Sequence, residues 1–221
     1  EGAQAPIKKT QLFYPEFREV DGITHVQAVA QKFGIIRTET DFEGLFLKGV
    51  GIDYNWHYFK EFLVQGTLPN YSESYSDEVL ISEHLAKRLL FKLSDTFQMY
   101  FLKSDSSSPP SIRKFKIVGI FNSGFEELDQ TFLIGDLNHV QRLNRWSKDQ
   151  VGQFEVFIQD YEDLESKGLE VYAKTPSTLN AQTVKQKYPV IFDWIAIFDK
   201  NTYGIIAMMI LVGVINMITA L

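Results

Sequence analysis

Carboxylates set close to aromatic rings are the raw material of acid and base chemistry on sugars, and this sequence holds one such combination. Glu126, Glu127 and Asp129 could supply the paired acids of glycoside hydrolysis, and Tyr54, Trp56, Tyr58 and Phe59 the flat faces on which sugar rings stack. Their contexts favour a plainer reading. The acids sit in the polar stretch NSGFEELDQ, expected as a solvated loop, and the aromatics recur at helical spacing, expected as the core face of a helix. Of the four histidines, His25, His57, His84 and His139, no two stand at the i, i+4 spacing of a zinc-binding helix. The chain has no cysteine, which removes thiolate metal sites and disulfides. It has neither a phosphate-binding Gly-x-x-x-x-Gly-Lys-Ser/Thr loop nor a Gly-x-Ser-x-Gly elbow. No catalytic residue, metal or cofactor is expected, and any use of ATP belongs to a partner.

The elements that position these residues follow from periodicity. Pro6 to Asp21 offers Leu12, Phe13 and Phe17 as a modest apolar face, expected as a brief helix. The apolar runs His25 to Arg37 and LFLKGVGI, separated by TETDFEG, read as two strands of a hairpin. YNWHYFKEFLVQG places Trp56, Phe59, Phe62 and Leu63 at helical spacing, with Gly66 as a stop. After the turn-rich PNYSESYSD, EVLIS is a strand and Ser82 an N-cap for a helix with Leu85, Leu89 and Leu90 on one face. TFQMYFL alternates Phe97, Met99 and Phe101 with Gln98 and Tyr100, and pairs with RKFKIVGIF, where Phe115 and Ile117 oppose Lys114 and Lys116. TFLIG is a further strand, Asp136 caps a helix with Leu137, Val140 and Leu143, and FEVFIQD is another strand. DLESKGLEVYA and NAQTVKQKY read as helices on either side of Thr175-Pro176-Ser177. The mixture makes an α+β fold with two subdomains.

The chain ends in an uncharged run, GIIAMMILVGVINMITAL, from Gly204 onward. Its nine Ile, Leu and Val residues favour membrane insertion by roughly 3 to 5 kcal/mol before Asn216, Thr219 and the glycines are subtracted. The run reads as the start of a transmembrane helix with Tyr203 as an interfacial anchor. The alternative is a core helix buried on every side. The soluble part meets the run at Asp199 to Gly204 without a glycine-serine spacer, so a rigid join is expected. A net charge of −6 over 221 residues and a pI near 5.3 provide no basic field for a polyanion, which excludes nucleic acid as the expected partner. The opening EGAQAPIKKT has no basic-then-apolar signal pattern. A domain outside the cytoplasm therefore implies an upstream membrane segment.

One loop carries a candidate binding function. KSDSSSPPSI joins the two central strands through about ten residues where hairpins use 2 to 5. Pro109 and Pro110 stiffen one limb, and Arg113 stands where the strand resumes. A stiff hairpin with a basic base suits protein docking.

The order of these features resembles the periplasmic core domain of the MacB-like permeases: a strand followed by GVGID, a helix closed by a QG turn, EVLISEHLAKRL, a turn at LSD, TFQMYFL, FKIVGIF and an apolar helix. The resemblance covers nearly the whole chain. Within that superfamily it is most similar to the permease of the lipoprotein-releasing ABC transporter, through PSIRKFKIVGIF after a long loop and DWIAIFDKNTYG before the final helix.

The resemblance implies a porter-like subdomain made of residues 1–76 and 151–200, an inserted sabre-like subdomain at 77–150, and the start of a transmembrane helix at 201–221. It implies a hook that grips a periplasmic lipoprotein carrier chaperone, which falls on Leu102, Lys103, Ser104, Asp105, Ser106, Ser107, Ser108, Pro109 and Pro110. A polar pad at its base falls on Gln98, Ile112 and Arg113, of which Arg113 keeps the basic character of the family's pad. The implied partners are a separate cytoplasmic ATPase subunit, a second permease subunit, the carrier, a lipoprotein cargo and the inner membrane, with the domain facing the periplasm. A MacB-like exporter of peptides or small molecules is the near alternative. A membrane-tethered glycan-binding or hydrolysing domain is the alternative from another class. The glycan reading requires an aromatic-lined cleft holding Trp56 beside carboxylates, whereas the permease reading buries Trp56 between helix and sheet.

Overall fold

The computed structural model describes residues 5–57, 59–71, 75–103 and 108–219. The chain divides into two compact units, 1–159 and 160–221. The first holds β1 (Ile7–Lys8), β2 (Ile23–Arg37), β3 (Phe42–Val50), a 3-10 turn (Phe59–Phe62), β4 (Leu63–Gly66), β5 (Glu78–Ser82), α1 (Glu83–Arg88), β6 (Thr96–Phe101), β7 (Ser111–Phe121), α2 (Glu126–Thr131), β8 (Phe132–Asp136), α3 (Leu137–Asn144), β9 (Gln150–Val151) and β10 (Gln153–Ile158). The fold is α+β.

Strand pairing in this unit closes on itself. β2 pairs with β3, β3 with β8, β8 with β5, β5 with β7, β7 with β6, and β6 returns to β2. Two seams of the ring are thin: β5 meets β8 at Leu80 and Ile134, and β6 meets β2 at the pairs Ile35–Tyr100 and Ile36–Met99. Strands from the 1–76, 77–150 and 151–200 segments all share this one sheet, with β10 added along β2 and β4 along β7.

Alternation fills the inside. Because neighbouring residues of a strand point to opposite faces, Ile36, Leu45, Leu47, Leu133, Val79, Ile81, Phe115, Ile117, Phe97, Met99 and Phe101 face one another in a single buried cluster. α1 adds Leu85 and Leu89, and α3 adds Leu137 and Val140. Gly34 makes the β6 seam possible, since a Cβ there would lie 2.8 Å from both Met99 Cε and Phe101 Cε1. The helices start where their caps are: the Ser82 side chain accepts from the Leu85 N–H, and the Asp136 side chain from the Asn138 N–H.

Among the described residues, one end of the outer face of the ring is covered. Val29, Val50, Leu80, Phe121 and Ile134 form a second cluster with Tyr71, against which Tyr54, Trp56, Phe59, Leu63 and Leu68 pack.

Several local expectations change. Pro6 to Asp21 is a run of turns after β1, not a helix, because Pro15 in its middle disfavours helical backbone at the residue before it. Phe13 and Phe17 still stack at 5.4 Å, but Leu12 is 94% exposed. The segment expected as one helix up to Gly66 is a short 3-10 turn followed by β4, because the edge of β7 offers backbone partners to Leu63, Gln65 and Gly66. Gly66, at φ +84°, takes a conformation that suits glycine. NSGFEELDQ contains helix α2 in place of a loop throughout. Leu90 turns out to solvent at positive φ as α1 ends, so the apolar face of that helix rests on Leu85 and Leu89.

The second unit holds a 3-10 turn (Tyr161–Asp163), α4 (Leu164–Lys174), α5 (Val184–Lys187) and α6 (Pro189–Thr219). NAQTVKQKY is helical only over α5, which starts from a reciprocal capping box between Thr183 and Gln186. The Tyr161 ring stacks on Phe192 near the start of α6 with centroids 6.5 Å apart, and Lys185 lies 5.1 Å from the Tyr161 centroid and 3.7 Å from Glu165.

Candidate docking hairpin and membrane helix

β6 and β7 form the expected hairpin, with Phe97 opposite Phe115, Gln98 opposite Lys114 and Tyr100 opposite Ile112. Residues Ser104, Asp105, Ser106 and Ser107 of the expected hook lie outside the described residues. Of the described ones, Leu102, Lys103, Pro109 and Pro110 are exposed and Ser108 is half-buried.

The strand register divides the pad. Gln98 and Ile112 lie on the outer face, where the Tyr100 hydroxyl donates to Gln98 Oε1 at 3.2 Å. Arg113 is paired with Met99 and takes the opposite face, half-buried, donating to the Ile112 carbonyl at 2.9 Å.

On that inner side stands His139, buried on α3. Its Nε2 bonds the Ser76 carbonyl at 3.0 Å and lies 3.1 Å from Asp77 Oδ1. The rings of Phe115 and Tyr75 meet it edge-on, and its Nδ1 has no hydrogen-bond partner among the described residues. Burial pushes its pKa down, with Arg113 adding to that push while Asp77, Asp136 and the Ser76 carbonyl oppose it. A histidine whose folded pKa is depressed contributes stability that is complete above its unfolded value of about 6.5 and is lost as pH falls through the folded value. Urea unfolding of the wild type should therefore weaken more between pH 7.5 and pH 5.5 than that of His139→Gln. Parallel pH profiles for the two proteins would reject this role.

The acids and aromatics that first suggested sugar chemistry are placed apart in function. Asp129 is buried and accepts from the Ser123 hydroxyl at 2.6 Å, a structural task, while Glu126 and Glu127 are exposed in the first turn of α2. Tyr58 lies outside the described residues. Trp56 packs edge-on between Tyr54 at 4.6 Å and Phe59 at 5.8 Å, against the outer cluster of the sheet. Trp56 is half-buried there, on a loop beside a 3-10 turn in place of the expected helix. Among the described residues no three metal-ligating side chains gather.

Asp53 was not singled out by its sequence. Its Oδ2 accepts from the Tyr14 hydroxyl at 2.9 Å and from the Ala28 N–H at 2.8 Å, and Lys9 Nζ stands 4.0 Å from Oδ1. Burial first, and then the Asp53 charge, raise the Tyr14 pKa, so the phenol stays protonated and donates. The cluster ties the turns before β2 to the sheet.

α6 is the second candidate element. It begins at Pro189, twelve residues before the expected start at 201, where proline's fixed φ and missing N–H suit the first helical turn. It then runs unbroken through Asp199 to Gly204, the join that the sequence placed between domain and tail. Over Pro189–Ile218 it is long and apolar enough to cross a membrane, and none of its most apolar window is buried. Among the described residues it lacks the cover that the core-helix alternative requires.

No protein-family model matches the chain, and no curated protein matches it. Solved structures do. The chain is similar to the extracellular domain of the noncanonic ABC-type transporter YknZ from Gram-positive bacteria, at 16% identity over 74% of this chain and 80% of that one, with a TM-score of 0.49. It is similar to the periplasmic region of MacB from Actinobacillus actinomycetemcomitans, at 18% identity over 70% and 69%, with a TM-score of 0.45. A domain of a Porphyromonas gingivalis protein described as a permease follows at 17% identity over 73% and 74%, with a TM-score of 0.36. These neighbours are extracellular, periplasmic or permease domains, and at such scores the likeness assigns this chain no activity, cargo or partner.

Proposed function

We propose that this chain is the extracytoplasmic part of an ABC transporter permease that helps extract lipoproteins from the inner membrane and pass them to a periplasmic carrier chaperone. The observation that supports the membrane part of the reading is α6: 31 residues of continuous helix whose apolar surface is exposed and whose first turns are held by Tyr161 in a folded base. A helix apolar on every side and left uncovered by its own protein belongs in lipid. The resemblance of the sequence supplies the rest. A separate ATPase subunit drives the membrane helices, a second permease completes the pair, and the porter-like parts, 1–76 and 151–200, close on the cargo. The inserted part, 77–150, presents the hook at 102–110 with Gln98, Ile112 and Arg113 at its base. Coupling passes through residues 199–204, where an unbroken helix transmits displacement that a flexible spacer would absorb.

Retention of a purified lipoprotein carrier on the membrane-embedded protein tests the reading. Deletion of Ser104 to Pro110 should lower retention at least tenfold. Retention unchanged by the deletion rejects the hook, and a wild type that retains no carrier rejects lipoprotein release in favour of a MacB-like exporter.

A further inference from the structure

The outer face of the strand ring has two halves with different fates. Around Val29, Val50 and Ile134 it is covered by the aromatic segment that includes Trp56 and Phe59. Around the β6 seam it is bare. The register there sets Phe33 opposite Phe46, Ile35 opposite both Gly44 and Tyr100, and Tyr100 opposite Ile112, so one row of apolar side chains crosses β3, β2, β6 and β7. Phe33 is 45% exposed, Ile112 46% and Phe42 74%. The same face carries Arg37 opposite Phe42, and Lys114 opposite Gln98, both exposed. Its strand positions from 33 to 37, 42 to 46, 98 to 100 and 112 to 114 hold no carboxylate on this side. Neither cation belongs to an ion pair among the described residues.

We propose that this bare half is a docking surface for an acidic polypeptide that presents apolar side chains. An exposed apolar patch of this kind marks an interaction site, and unpaired cations beside it, on a chain of net charge −6, select a partner of opposite sign. Aromatic residues with arginine are the composition of protein interfaces. A bilayer is the poorer occupant. The middle of the row, Ile35 and Tyr100, is half-buried in the sheet face, whereas a lipid-inserting anchor stands clear of its surroundings. The surface shares Gln98 and Ile112 with the proposed pad, but the proposal does not require lipoprotein release and uses no residue of the hook between Ser104 and Ser107.

The test uses the full chain in phosphatidylcholine nanodiscs and three probes: an amphipathic peptide of glutamate with leucine and phenylalanine, its lysine counterpart, and vesicles containing phosphatidylglycerol. The acidic peptide should shift the Ile35 and Ile112 methyl signals. Its affinity should fall at least tenfold in Arg37→Glu/Lys114→Glu and at least threefold in Ile112→Ser, and should weaken with added salt. These are exposed positions, so the variants should keep the wild-type spectrum elsewhere. Equal binding of the lysine peptide, vesicle binding through the same residues, affinity indifferent to the substitutions, or no shift at this face would each overturn the proposal. Loss of carrier retention on hook deletion, with this face silent, would sink the docking surface and leave the hook standing.

Discussion

Phe115→Ala is expected to lower the unfolding free energy of the sheet-bearing unit by about 3 to 5 kcal/mol, the range for emptying an aromatic site in a close-packed core. Phe115 has no exposed surface, and its ring is within 6.0 Å of Phe97 and 5.1 Å of His139 by centroid. It therefore bridges the β6–β7 hairpin to α3 inside the ring. Its neighbours cannot close in without pulling at the β2–β6 seam, which two residue pairs hold. Against a total stability of about 5 to 15 kcal/mol, and with about 2 kcal/mol lost per molar urea, the midpoint should drop by roughly 2 M. Phe33→Ala, on the exposed side of the same sheet, serves as the control and should cost well under half as much. Equal losses for the two would mean that the inside of the ring is not the stabilising core.

Leu211→Arg should remove most of the driving force for insertion of α6. An arginine at the centre of a spanning helix costs about 2.5 to 3.5 kcal/mol, and the lost leucine removes roughly another 0.5. That nearly cancels the roughly 3 to 5 kcal/mol that the aliphatic residues of the run contribute. The carbonate-resistant membrane fraction should fall from nearly all of the protein to about half or less. Lys200→Arg, a change that keeps the charge near the head of the apolar run, should leave the fraction unaltered. Full insertion of Leu211→Arg would show that α6 does not use this run to cross the bilayer.

Where a local signal decides structure, the sequence was legible. Ser82 and Asp136 are side-chain caps followed by apolar residues at helical spacing, and both helices begin there. TFQMYFL alternates, and Phe97, Met99 and Phe101 are buried as the alternation requires. Trp56, Phe59 and Phe62 misled because a spacing of three residues also serves a 3-10 turn laid across a sheet, and the strand-forming edge of β7 lies far away in sequence. The closing of the ring is non-local in the same sense, since nothing in β2 announces that Ile35 will meet Tyr100. Two features of the outer face are legible in strand periodicity alone. Ile112 and Arg113 are consecutive in a strand, so they cannot share one face. Phe42 and Phe46 alternate with Glu43 and Leu45, which already separates an outer aromatic row from the core.

α6 does more than attach. An α-helix turns about 100° per residue, so the side on which Phe192 meets Tyr161 fixes the bearing of every residue beyond it. Ile210 lies about five whole turns past Phe192 and leaves the helix on the same side. A single residue inserted after Asp199 would keep hydropathy and length nearly constant, yet turn every residue of the apolar run by about 100° relative to the base. The unbroken helix from Pro189 to Thr219 thus specifies an azimuth for the apolar run as well as its distance from the base.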